Sequence, residues 1–217
     1  MRLLVTGFGP FAGVCENPSG RVAGLIAASG HPGHDVTAAV LPVSFRRAAA
    51  IVRSMLVSGA FDAALLLGVA SGECAVRLEG RARRAGAARM ADIDGELPGA
   101  SPPGGGEPAQ RATPLLLAPI CVAVGELGVP CRISDDAGSY VCNHVYFCAF
   151  GAIHEARLPT ACLFVHLPPD EATGADPAPN ALPLDRQVAA VRVIVDAVAA
   201  QLGAPGAGRG VGSVCAS

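Results

Sequence analysis

The stretch VPCRISDDAGSYVCNHVYFCAFGAIHEARLPTACLFVH, Val129 to His166, decides the fold class. Its two ends, Val129–Ser134 and Ala161–His166, are short apolar runs of strand length. Between them Tyr140–His154 carries the longer period of a helix, with Cys142, Val145, Tyr146, Ala149 and Ile153 on one face. Strand, helix, strand is the unit of a sheet covered on both faces. The same alternation extends outward. Strands are expected at Arg2–Thr6, Val36–Pro42 and Asp62–Leu67, and helices over Ser19–Ser29, Phe45–Ser58 and Leu184–Leu202. In the last helix Leu184, Val188, Val191, Val195, Val198 and Leu202 recur at steps of four and three, and Asp185, Arg186, Arg192 and Asp196 take the other face. The expectation is a single-domain α/β fold, a largely parallel twisted sheet flanked by helices on both faces.

Composition bounds what such a fold does. The chain has 217 residues, 51% hydrophobic and 16% charged, which excludes a disordered, solvating chain. Its formal charge of −2 offers no basic face, so neither nucleic acid nor an anionic membrane is an expected partner. All sixteen cations are Arg, which excludes Schiff-base and P-loop lysine chemistry. Nine of the fourteen residues from Gly95 to Pro108, and six of ten from Gly203 to Gly212, are Gly or Pro. These read as a long loop and, over 204–217, a flexible Gly-rich tail beyond a domain at 1–203. The start is too short in apolar residues for a signal-peptide core, and no apolar run approaches a membrane span. The eight cysteines are therefore expected to be reduced, in a cytoplasm.

In parallel βαβ units the strand ends and helix starts share one edge of the sheet, and sites form there. Four segments are expected at that edge. They are Gly7-Phe8-Gly9-Pro10-Phe11; Gly68 to Gly72 with Glu79 and Arg89 beyond; Asp135 to Cys142; and His166-Leu167-Pro168-Pro169. Ser139 is a plausible N-cap, which puts Cys142 near the third helical position. Free N–H groups and the helix dipole there favour a thiolate and a lowered pKa. Read as an ordinary Cys, it is a small buried hydrophobe. His166 ends an apolar strand, and alone it fits a structural His. Beside a helix-start thiol it can take the thiol proton and return it to a leaving amine. Glu79 alternates with apolar neighbours; alone it fits a solvated strand face, and beside His166 it would hold the imidazole tautomer. Phe8 and Phe11 fit either an apolar wall for a small ring or a staple packing their turn. Gly7-x-Gly9 is no dinucleotide fingerprint, because the pattern fails at Ala12. Cys142 and His144 have no second ligand pair, so no metal is expected, and His31 and His34 are read as solvated loop residues.

These residues carry a resemblance. Val5-Thr6-Gly7-Phe8-Gly9-Pro10-Phe11 with Asn17-Pro18-Ser19, Ser134 through Asn143, and Phe164-Val165-His166-Leu167-Pro168 resemble the motifs of the pyroglutamyl-peptidase I family. Gly68 through Glu79 matches its Glu segment in length, and Arg89-Met90-Ala91-Asp92-Ile93-Asp94-Gly95 is similar to its Arg-Ile-Pro-Asp-Asn-x-Gly. The resemblance spans about residues 2–202. It implies a phosphorylase/hydrolase-like fold and a cysteine peptidase that removes amino-terminal pyroglutamate from peptides. Cys142 would be nucleophile, His166 base then acid, and Glu79 the orienting residue. Arg89, with backbone N–H groups near Cys142, would hold the oxyanion. Phe8, Phe11, Met90, Tyr140 and Val141 would line the lactam pocket. It further implies no metal or cofactor, a cytosolic location and a homo-oligomer, tetramer or dimer. The stretch Gly80–Ala88 departs from the family sequence, and Met90 stands where Ile is commoner. Two other readings stay open: a related thiol amidase acting on another small N-acyl substrate, and a non-catalytic binding protein that keeps the fold.

Overall fold

The computed structural model describes residues 1–11, 14–84, 90–97, 108–173 and 181–203. The expected tail at 204–217 and most of the Gly/Pro-rich loop lie outside them. The elements run β1 (Arg2–Phe8), α1 (Pro18–Ser29), β2 (Asp35–Leu41), α2 (Phe45–Gly59), β3 (Ala63–Val69), β4 (Val76–Glu79), β5 (Arg81–Arg83), β6 (Gln110–Ala112), α3 (Leu117–Glu126), β7 (Cys131–Ser134), α4 (Val141–Glu155), β8 (Ala161–Leu167) and α5 (Leu184–Gly203). Six strands form one sheet in the order β2-β1-β3-β8-β4-β7, and β5 and β6 form a separate antiparallel pair.

The interior strands explain why the apolar runs were readable. All seven residues of β8 and six of seven in β3 are buried, so both faces must be apolar. On one face, side chains such as Leu3, Val5, Leu65 and Leu163 pack under α1, α3 and α5. On the other, Leu4, Leu66 and Phe164 pack under α2 and α4. In the sequence α3 is an apolar stretch, Leu115–Val124, interrupted by Pro119. That proline falls in the helix's first turn, where no intrahelical N–H bond is lost.

The sheet is mostly parallel, with one departure that matters for the site. β2, β1, β3 and β8 run together. β4 runs against β8, and β7 runs with β4. The unit β7-α4-β8 is therefore not a parallel crossover, because β4 lies between the two strands and β7 points the other way. The cause is the connection after β3. Only residues 70–75 separate β3 from β4, too few for a parallel return, which takes a dozen or more. The chain reverses instead.

The Gly7–Phe11 segment, expected to follow the first strand, is half strand: pairing continues through Phe8, opposite Leu41. Gly7 is demanded by helix docking, since a Cβ there would lie 2.1 Å from Ser19 O. The Phe8 N–H donates to Ser19 Oγ at 3.0 Å. Asn17 caps α1, accepting from the Ser19 N–H at 3.1 Å, and its Nδ2 donates to Gly9 O at 3.0 Å. The two amino-terminal motifs are thus one joint between β1 and α1. His31 and His34, expected in solvent, are also drawn in. His31 is only 8% exposed, folded against α5 with its Nε2 3.2 Å from Arg192 O.

Candidate active site

The centre of the site is a glycine. Gly68 on β3 is the register partner of His166 on β8. A Cβ on Gly68 would lie 3.0 Å from Cys142 Sγ and 2.9 Å from Phe164 Cζ. Adjacent strands sit roughly 4.8 Å apart. The missing side chain therefore lets the sulfur settle against the backbone one strand away from His166. Cys142 and His166 line the same cavity.

Cys142 arrives there by a route other than the expected one. β7 ends at Ser134, level with Phe164 and pointing away from the edge where β3 and β8 end. Residues 135–140 must turn back, and the turn is tied down by arginine: Arg77 Nη2 donates to Asp136 O at 3.1 Å and Arg83 Nη2 to Asp135 O at 3.3 Å. α4 begins at Val141 with Tyr140 as N-cap and no side-chain cap bond. Cys142 is therefore the second helical residue, and Ser139 faces the cavity instead of capping.

β4 delivers the charge. Arg77 faces His166 and Glu79 faces Phe164 across the antiparallel ladder, so both side chains share the His166 face. His166 Nδ1 lies 2.7 Å from Glu79 Oε1, and Glu79 is fully buried. A carboxylate only accepts, so Nδ1 carries the proton and Nε2 holds the free lone pair. Arg77 was not anticipated. Its Nε donates to Glu79 Oε1 at 2.8 Å and its Nη1 to Glu73 Oε1 at 2.9 Å. Its Nη2 lies 2.7 Å from Glu79 Oε1 and 3.3 Å from His166 Nδ1, two donors drawn to one oxygen. The signal existed in Val76-Arg77-Leu78-Glu79, since a strand puts residues two apart on one face.

Electrostatics correct one expectation. The Cys142 thiol is not lowered: burial, then the Glu79 carboxylate, push it up to about 12, against a lesser pull from its own N–H and from Arg77. Apolar walls outweigh the helix start. Burial also pushes the Glu79 carboxyl up. The hydrogen bond and charge of His166, with the Arg77 hydrogen bond, more than reverse this and hold it below the ordinary value. The resting arrangement is thus a neutral thiol beside an imidazole backed by a carboxylate, which suits proton removal during attack on a carbonyl.

The cavity encloses about 190 Å³. Pockets for drug-sized ligands run roughly 300–1,000 Å³, so this one suits a single small ring. Of the expected pocket residues, Phe8, Phe11, Tyr140 and Val141 line it, joined by Val43, Val69 and Asn17. Met90 does not line it and is 47% exposed. Arg89 lies outside the described residues. The segment after it is fastened by Asp92, whose carboxylate accepts from the N–H groups of Phe45 (2.8 Å), Asp94 (2.9 Å) and Glu96 (2.9 Å). Tyr140 Oη adds a bond to Ala91 O at 3.0 Å. Asp92 thus pins this segment to the start of α2, a role legible in the sequence only as part of a motif.

A doubly covered α/β sheet with a thiol, a carboxylate-backed imidazole and a small, largely apolar pocket defines a hydrolase of the cysteine type. The family model described as pyroglutamyl peptidase matches residues 1–201. The chain is 35% identical over 168 residues to the pyrrolidone-carboxylate peptidase of Gloeobacter violaceus, covering 77% of this chain and 82% of that one. It is 30% identical to that of Pyrococcus furiosus over 207 residues, 93% of this chain and all of the relative. A mutant pyrrolidone carboxyl peptidase from Pyrococcus furiosus superposes with a TM-score of 0.85 at 28% identity, over 93% of this chain and 100% of the other. That of Thermococcus litoralis gives 0.85 at 25% identity, over 93% and 94%. The chain belongs to the pyroglutamyl peptidase family.

Proposed function

We propose that this chain hydrolyses the amide bond after an amino-terminal pyroglutamyl residue of peptides, with Cys142 as nucleophile, His166 as proton carrier and Glu79 as its orienting partner. The observation that carries the reading is the 2.7 Å contact of His166 Nδ1 with buried Glu79, which leaves Nε2 basic in the cavity that Cys142 enters. As Cys142 Sγ attacks the scissile carbonyl, its proton passes to His166 Nε2, and Glu79 stabilises the imidazolium. The oxyanion falls to backbone N–H groups in the first turn of α4, with Arg89. Collapse sends the proton to the leaving amine and leaves a thioester. Water, deprotonated by His166, then attacks it, releasing pyroglutamate and the thiol.

The pocket supports the lactam. Its walls of Phe8, Phe11, Tyr140 and Val141 are apolar, and Asn17, the one amide among them, already bonds Gly9 O and Ser19. A flat neutral ring without a free amine needs no anionic partner there. Free thiols suit a reducing, cytoplasmic setting, and a homo-oligomer completes the reading, checked by sedimentation. No helix among the described residues is long and apolar enough to cross a membrane. The test is release of a fluorogenic amine from pyroglutamyl, prolyl, acetyl and formyl amides. Turnover confined to the pyroglutamyl amide is expected. Preference for another acyl group would favour the thiol amidase reading, and binding without turnover the non-catalytic one.

A further inference from the structure

Outside the thiol site, one group of described residues brings metal-ligating atoms together. His31 and His34 close the turn between α1 and β2, and Asp196 comes from α5. The turn is fixed by a His34 N–H bond to His31 O at 3.0 Å and by Gly33 at φ +78°, the left-handed region that favours glycine. The two rings meet edge to face, centroids 4.9 Å apart. Each Nε2 stands 3.5 Å from Asp196 Oδ1, and the three ligand atoms lie within 4.8 Å of one another.

Those separations are long for hydrogen bonds, which cluster near 2.9 Å. Two atoms bound tetrahedrally to one zinc at 2.0–2.1 Å sit about 3.3 Å apart. Nδ1 of both rings is buried with no hydrogen-bond partner, so the polar contacts of each ring lie on its Nε2 side, toward Asp196. The Nε2 contact of His31 with Arg192 O is the one bond that ligation would break, and that carbonyl lies within α5, where the helix ladder also engages it. The Arg192 guanidinium is itself tied to Ser29 Oγ and Gly30 O.

We propose that His31, His34 and Asp196 bind a divalent transition ion of the zinc class. Two imidazoles and a carboxylate match its ligand preference, and the exposed side of Asp196 leaves the fourth position to water. The site is remote from the chemistry. It lies at the start of β2, which pairs with the start of β1, whereas the cavity is lined by Phe8 at the end of β1. Its effect is to clip the α1–β2 turn to α5 and raise stability by mass action.

The test uses the full reduced chain, Zn²⁺ by calorimetry and Co²⁺ by absorption, with the His34→Asn and Asp196→Asn variants. Thiolate ligation gives Co²⁺ a charge-transfer band that imidazole and carboxylate lack, which separates this site from the cysteines. Expected are one equivalent of metal without that band, affinity at least about tenfold weaker in both variants, and unchanged metal-free turnover. His31 and His34 ring resonances should move on Zn²⁺ addition. Absence of uptake, a thiolate band at the first equivalent, or wild-type affinity in either variant would overturn the site.

Discussion

Cys142→Ala should fold as the parent and lose turnover on a pyroglutamyl amide by at least about 10³-fold, read by fluorogenic assay alongside circular dichroism. Its raised thiol carries a second expectation: inactivation by iodoacetamide should keep accelerating above pH 8, whereas a preformed thiolate pair would level off in mild acid. That Cys142 and His166 line one cavity was legible because local signals mark them, a polar turn opening a helix and a strand stopped by Pro168-Pro169. The state of the thiol was not, because helix position is local and desolvation by α2, β3 and β8 is not. Glu79 stood between two readings for the same reason: its burial depends on β8 lying beside β4, a pairing 87 residues apart.

Glu79→Gln keeps the shape and removes the charge. It should lower kcat/KM by about 10²–10⁴-fold, since an amide no longer stabilises the imidazolium. Arg77→Met should loosen the 135–140 turn and move the acid limb of the kcat/KM profile to higher pH, because a carboxylate stripped of one cation binds its proton more readily.

At the scale of elements, glycine makes the sharpest demands. Gly68→Ala drives a methyl into Cys142 Sγ and Phe164, and should cost about 1–3 kcal/mol in a denaturant titration while displacing the sulfur. The run of elements was readable from periodicity, and the β1–α1 joint follows from its motif once Gly7 meets Ser19. The direction of β7 was not readable. Its four residues pattern the same way in either orientation, and the reversal is set by the short link before β4, far upstream. Asp92 belongs here too, as the bolt between the Met90–Leu97 segment and α2. Asp92→Ala leaves three backbone donors unpaired and should cost about 1–3 kcal/mol, read as a lower unfolding midpoint.

For the molecule as a whole, acid stability should track its buried carboxylates. Glu79 and Asp92 both titrate below their ordinary values when folded, Asp92 because three backbone N–H bonds outweigh burial. The unfolded chain then takes up protons first as pH falls. The stability these groups lend is complete above the ordinary carboxylate range and is lost as pH drops through their folded values. Glu79→Gln should flatten that acid limb in urea titrations from pH 6 to pH 3.

The size of the chamber has one more consequence. With room for one small ring, it can hold the terminal cap and little beyond it. Recognition then reads a single terminal cap, and capped dipeptides and long peptides alike should be trimmed at rates set by the cap and its first neighbour, with little dependence on the length of the tail.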